Sequence, residues 1–149
     1  MSEYLVFRLG SERFGVPLGS VREIRRPPRV TPLPEAPVWL RGVTNLRGTI
    51  LAVIDAGVGL GISDVVVGAE GRKSRLVVMR EGECDAGFCV DGVDGVVSLD
   101  DGALMEAPDT LPDPLRRWCE GIAAVESELV TVLSPEFLTG LQERLGAGR

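Results

Sequence analysis

The stretch Gly42-Val-Thr-Asn-Leu-Arg-Gly48, followed without a break by TILAVID (49–55), decides the fold. Glycine and asparagine tolerate the left-handed backbone that a tight connection needs, and Ile50, Leu51, Val53 and Ile54 make a short apolar, partly β-branched run. The stretch therefore predicts a shaped connection between apolar strands. Asn45 and Gly48 form the connection, while Arg47 brings several geometrically fixed donors that can hold backbone carbonyls or a carboxylate. Two roles are open to Arg47, structural anchor and partner contact, and a rigid anchor can itself present an interface.

Outward from this centre the same short-strand pattern recurs. Tyr4 to Leu9 and Phe14 to Val16 flank Gly10, Ser11 and Glu12 and read as a β-hairpin. Val21–Ile24, Arg75–Met79, Gly87–Val90, Val93–Leu99, Ile122–Val125 and Leu129–Leu133 are further strand-like runs broken by Gly, Pro or Asp. Such spacing predicts a mainly β, barrel-like protein, because a βαβ fold would need long crossover helices. One long helix is expected at the C-terminal end, with Ser134 as cap, Pro135 in the first turn and Phe137, Leu141 and Leu145 on one face. Prolines crowd 27–37 and 108–114, which marks fixed irregular connections. These two regions also echo one another: Thr31 matches Thr110, Trp39 matches Trp118 and Gly42 matches Gly121, so the architecture is expected to be duplicated within one unit, 1–149.

Composition narrows the chemistry. The 149 residues include no histidine, which removes His-based general bases, Ser-His-Asp triads and imidazole zinc sites. A net charge of −6 argues against phosphate-tracking nucleic-acid binding. Apolar runs are too short to span a bilayer and the start carries Glu3 where a secretory signal would be basic, so a cytoplasmic protein is expected. Cys84, Cys89 and Cys119 read as reduced thiols. GVGLG (57–61) lacks the third glycine of a dinucleotide fingerprint, and Lys73-Ser74 lacks the glycines of a phosphate loop. Asp91-Gly-Val-Asp-Gly lacks the calcium-loop spacing, and Glu83 with Asp85 shows no second catalytic element. No enzyme activity, cofactor or metal is expected.

The segments YLVFRLGSERFGVPLGSVREI, VTPLPEAPVWLRGVTNLRGTILAVID, GFCVDGVDGVVSL and WCEGIAAVESELVTVLSPEFL resemble, in order, the CheW family of bacterial chemotaxis coupling proteins, with GVTNLRG the strongest signature. The resemblance implies two intertwined five-stranded SH3-like β-barrels. It also implies a non-enzymatic adaptor that joins the cytoplasmic tip of a chemoreceptor to the regulatory domain of a CheA-type histidine kinase, recruited to receptor arrays with possible array neighbours. By position it implies protein-binding roles for Val21, Glu23 and Ile24 in SVREI, Arg47 in NLRG, and Gly87, Val93 and Val96 in the later GxxVDxVxxV pattern. Each also has a plainer reading: core residues for Val21, Ile24, Val93 and Val96, a close backbone approach for Gly87, a solvated charge for Glu23. Ala52 and Ala56 depart from the family's proline and leucine, and VESEL replaces an Asp-Gly turn, so a different hairpin geometry is expected there. The competing class is a structural adaptor of the same fold that binds no chemoreceptor.

Overall fold

The computed structural model describes residues 1–62, 71–138 and 140. Along the chain run β1 (Ser2–Leu9), β2 (Glu12–Pro17), β3 (Val21–Arg25), β4 (Leu40–Leu46), β5 (Thr49–Asp55), the one-turn helix α1 (Ala56–Gly59), β6 (Arg75–Glu81) and β7 (Cys84–Val90). They are followed by β8 (Gly92–Leu99), the one-turn helix α2 (Leu115–Trp118), β9 (Cys119–Val125) and β10 (Glu128–Leu133). The strands form two five-stranded mixed sheets, ordered β8-β1-β2-β10-β9 and β3-β6-β7-β5-β4.

Closed SH3-like barrels, expected from the family resemblance, are not what forms. Closure would require β3 to pair with β4 and β8 with β9, and each of these strands is instead the edge of its sheet. The connections that run past the gaps are the proline-rich ones. Proline has no N–H to give to a ladder, so each connection touches its sheet through one short bridge, Thr31 to Val43 and Met105 to Ile122. The sheets stay open.

Alternating apolar residues of both sheets meet in one shared core containing Leu5, Phe7 and Phe14 from the first sheet and Ile54, Val77, Met79 and Phe88 from the second. Phe88 stands between Phe7 and Phe137, with ring centroids 5.4 and 5.7 Å away. Each sheet also has a small cluster of its own, around Leu51, Val53 and Leu76 in one and Leu99, Ala123 and Val132 in the other. The expected terminal helix starts at Glu136, whose N–H is accepted by Ser134 Oγ at 3.2 Å, and Phe137 and Leu138 are buried. Leu141 and Leu145 lie outside the described residues.

The internal echo has a topological counterpart. Replacing β3, β4, β5, β6 and β7 by β8, β9, β10, β1 and β2 turns one strand order into the other. The parallel pairs β5·β7 and β10·β2 correspond, as do Gly42 and Gly121, each with positive φ beside its bridge. The repeat is therefore cyclically shifted, and the first hairpin completes the sheet begun by the last three strands.

The two central hairpins match as well. Arg47-Gly48 joins β4 to β5 and Glu126-Ser127 joins β9 to β10, both as two-residue turns with φ positive at both positions. Despite the absence of Asp-Gly, the second turn keeps this length and the type I′ sense that matches strand twist. Ser127, at φ 70°, occupies a conformation that disfavours a Cβ. Ser127→Gly is expected to stabilise the chain by about 0.5 kcal/mol after allowing for the greater unfolded-state freedom of glycine, raising the midpoint of thermal unfolding by about 1–2 °C. An unchanged or lower midpoint would count against a strained turn.

Candidate protein-interaction site

The site is built at the open mouth of the β3-β6-β7-β5-β4 sheet. At one edge the β4–β5 turn projects Arg47, whose backbone sits at φ 50°, and Asn45 Oδ1 steadies the turn by accepting the Gly48 N–H at 2.8 Å. At the other edge β3 carries Glu23. Although the two strands lie at opposite ends of the sheet order, Arg47 Nη2 donates to Glu23 Oε2 at 2.9 Å. A charged side-chain contact spans the gap that the backbone ladder leaves. Arg47 remains 72% exposed, so the pair adds no more than about 0.2–1 kcal/mol to stability. Arg25 Nη1 lies 3.7 Å from Glu23 Oε1, and that oxygen is buried without a hydrogen-bond partner.

The pair borders a shallow cleft of about 340 Å³ lined by Arg22, Glu23, Leu46, Arg47, Leu51 and Val78 among others. A shallow cleft whose lining mixes Leu46, Leu51 and Val78 with charged groups suits a protein side chain better than a reaction. Of the residues singled out from sequence, the structure joins Glu23 and Arg47 here, with Ile24 40% exposed on the same edge strand. Val21 is half-buried and packs on the shared core. Val96 is 48% exposed on β8, the edge of the other sheet, and Val93 is half-buried beside a second cleft that also includes Arg8, Lys73 and Arg75. Gly87 is buried in β7, where a Cβ would approach Leu76 Cδ1 to 2.9 Å and Leu51 Cδ2 to 3.2 Å. Its influence on a partner would pass through packing.

The other sheet carries a four-residue charge lattice across its neighbouring strands β8, β1, β2 and β10. Asp94 on edge strand β8 accepts from Arg8 Nε at 3.1 Å and Arg13 Nε at 3.0 Å, and Arg13 Nη1 reaches Glu128 at 2.9 Å. The carboxylates of the DGVDG segment are thus occupied, since Asp91 also accepts the Gly10 N–H. Among the described residues no group of three potential ligands could hold a metal ion. No helix among them is long and apolar enough to cross a membrane.

The model of the CheW-like domain family matches residues 3–143. The chain belongs to the CheW-like family. It is 31% identical to the chemotaxis protein CheW of Rhizobium meliloti, across 97% of this chain and 92% of that protein. It is 30% identical to the CheW of Klebsiella aerogenes, across 95% and 83%. Among solved structures, the scaffolding protein TtCheW from Thermoanaerobacter tengcongensis superposes with a TM-score of 0.80 at 28% identity, covering 92% of this chain and 86% of that one.

Several residues of this CheW-like chain were missed from sequence. Arg22 enters the cleft because pairing between β3 and β6 shifts register between Val21 and Glu23, an irregularity with no local sequence mark. Ile50 and Leu129 are 65% and 63% exposed at matching places of the two copies, which the echo could have signalled. Cys89 lies fully buried opposite Asp55 in the β5·β7 ladder, and burial pushes its thiol above the ordinary range against the opposing pull of Arg41. A protonated, buried thiol is expected to resist a thiol-reactive dye in the folded CheW-like chain and to react on unfolding in guanidinium. Comparable labelling of Cys89 in both states, read by peptide mass, would contradict this.

Proposed function

We propose that this chain is the coupling adaptor between the cytoplasmic tip of a chemoreceptor and the regulatory domain of a CheA-type histidine kinase. Family membership across nearly the whole chain is the observation that carries the proposal. The protein is a non-enzymatic adaptor of chemotaxis signalling, and with no histidine it offers no phosphoryl-accepting imidazole of its own.

An adaptor works by holding two docking surfaces at a fixed separation, so that a change in one partner alters the conformational populations of the other. A core shared between two sheets supplies stiffness. The mouth bearing Glu23 and Arg47, with Ile24 beside it, is suited to one contact. The β8 edge bearing Val96, supported by Val93, is suited to another. Recruitment to an array would then add avidity through many weak contacts.

Reconstitution tests the proposal. Receptor cytoplasmic fragments and kinase are assembled with and without the chain, and phosphotransfer is followed with and without attractant. Loss of receptor control on omission is expected; unchanged assembly and kinase control would refute the adaptor role.

A further inference from the structure

Three Asp-Gly pairs lie in the chain, at 91–92, 94–95 and 101–102. In such a pair the next peptide nitrogen can attack the aspartate's own carboxyl, because glycine puts no Cβ in the way and lets the backbone turn. Two conditions decide whether this happens in a folded chain. The carboxyl must swing free, and the backbone around the nitrogen must move until the reacting atoms lie about 3–3.5 Å apart. The three pairs differ in both.

The first two are held. Asp91 donates its N–H to the Arg8 carbonyl at 2.9 Å, its carboxylate accepts the Gly10 N–H at 2.6 Å, and Gly92 is buried opposite Arg8 in the β1·β8 ladder. Asp94, its side chain 26% exposed, is gripped by Arg8 and Arg13 at 3.1 and 3.0 Å, and Gly95 stands opposite Val6 in the same ladder. Asp101 is different. Its side chain is 93% exposed, and its ion-pair contact among the described residues is the N-terminal ammonium, 3.9 Å away at a chain end that is itself exposed. Asp101 and Gly102 are the two central residues of a turn closed by the Ala103 N–H, which donates to the Asp100 carbonyl at 2.9 Å. Gly102 has no hydrogen-bond partner among the described residues, and nothing lies within 4 Å of the place a Cβ would take.

We propose that Asp101-Gly102 is the site at which this chain converts spontaneously to an isoaspartyl linkage, while the fold protects Asp91-Gly92 and Asp94-Gly95. The Gly102 nitrogen bonds to Asp101 Cγ, and the carboxyl hydroxyl leaves with the amide proton as water, closing a five-membered imide. A second water opens the ring. Breaking the bond from nitrogen to Cγ restores aspartate, whereas breaking the bond from nitrogen to the Asp101 main-chain carbonyl carbon leaves the chain running through Cβ, one carbon longer, with a free α-carboxylate. The added carbon falls just ahead of Met105, whose N–H and carbonyl bond to Ile122 at 2.8 and 2.9 Å. The modification therefore acts on the bridge that ties the 100–114 connection to β9. The inference is independent of the adaptor role.

The full chain is incubated for several weeks at neutral pH and growth temperature, both folded and in guanidinium. Isoaspartate is counted with a purified isoaspartyl methyltransferase and labelled S-adenosylmethionine, and placed by mass spectrometry of peptides. In the folded chain the yield at Asp101 is expected to exceed that at Asp91 and at Asp94 by about tenfold or more, since small misplacements of reacting atoms cost at least that much. In guanidinium the three yields should come within about threefold of one another, because the ladder and the ion pairs are gone. Gly102→Ala meets no neighbour in the fold, and its Cβ stands in the path of attack, so the folded-state yield at Asp101 should fall about tenfold. Matching melting curves establish that this variant folds. Equal yields at the three pairs in the folded chain, a higher yield at Asp91 or Asp94, or none at Asp101 overturn the proposal. An undiminished yield in Gly102→Ala also overturns it, because the nitrogen would then not be the attacking atom.

Discussion

Gly42→Ala is expected to destabilise the chain by about 3–5 kcal/mol, enough to leave much of it unfolded at growth temperature. Gly42 sits at φ 146°, a backbone region almost reserved for glycine, and a Cβ there would lie 2.1 Å from the Thr31 carbonyl oxygen and 2.7 Å from its carbon. Both obstacles are backbone, so no side-chain rotation relieves them. The only escape is to pull the 26–39 segment away from β4, which sacrifices the two Thr31–Val43 hydrogen bonds and uncovers Val30 against Leu51 and Val53. Gly48→Ala is the internal control: φ is 84°, but nothing lies within 4 Å of the added carbon, so a loss of about 1 kcal/mol is expected. Denaturant unfolding of both variants checks the contrast. Similar losses would mean that the Thr31 contact yields more easily than its geometry implies.

Arg47→Ala is expected to weaken receptor coupling by tenfold or more while moving the thermal midpoint by no more than about 2 °C. The side chain is mostly exposed and its pairing with Glu23 is solvent-screened, which bounds the stability term. Its backbone, at φ 50°, is no better suited to arginine than to alanine, so the turn itself is indifferent to the exchange. What changes is the mouth of the sheet: Glu23 loses its 2.9 Å partner and keeps only Arg25 at 3.7 Å, so a docking surface meets a carboxylate less well compensated than before. Binding and melting are measured on the same preparations, with Glu23→Gln/Arg47→Ala as a second variant. Recovery of affinity in the double variant would assign the loss to the charge on Glu23. Unchanged partner affinity with a large fall in melting temperature would make Arg47 an anchor only.

The hairpins, the strand-rich pattern and the duplicated corner were legible because each rests on local chemistry: alternating Val, Phe and Leu, and glycines at matching positions. Asn45 and Gly48 likewise announced their turn, although most of GVTNLRG proves to be strand β4, with only Arg47-Gly48 turning. Openness of the sheets was not legible, since Val21–Ile24 and Leu40–Leu46 look the same whether or not they pair with each other. The prolines at 27, 28, 32, 34 and 37 held the physical reason, the missing N–H donors. Nor could VESEL reveal its turn, because Glu126 and Ser127 adopt left-handed backbone against their own preference under the demand of strand twist. At the site, Glu23 and Arg47 were named separately. That they meet depends on long-range closure of β3 toward the β4–β5 turn, and Arg22 joins them through a register shift.

The cyclic shift of the repeat sets a timetable for synthesis. A ribosome that has released the chain as far as Val90 has delivered every strand of the β3–β7 sheet, Glu23 and Arg47 included. The first hairpin, made before that sheet, can zip on itself, yet its strand β2 must wait for Val130, Thr131 and Val132 to lie alongside Arg13, Phe14 and Gly15. A hairpin synthesised ahead of both sheets' other strands is thus among the last to find its neighbours, and Phe7 and Phe14 need shelter during the interval.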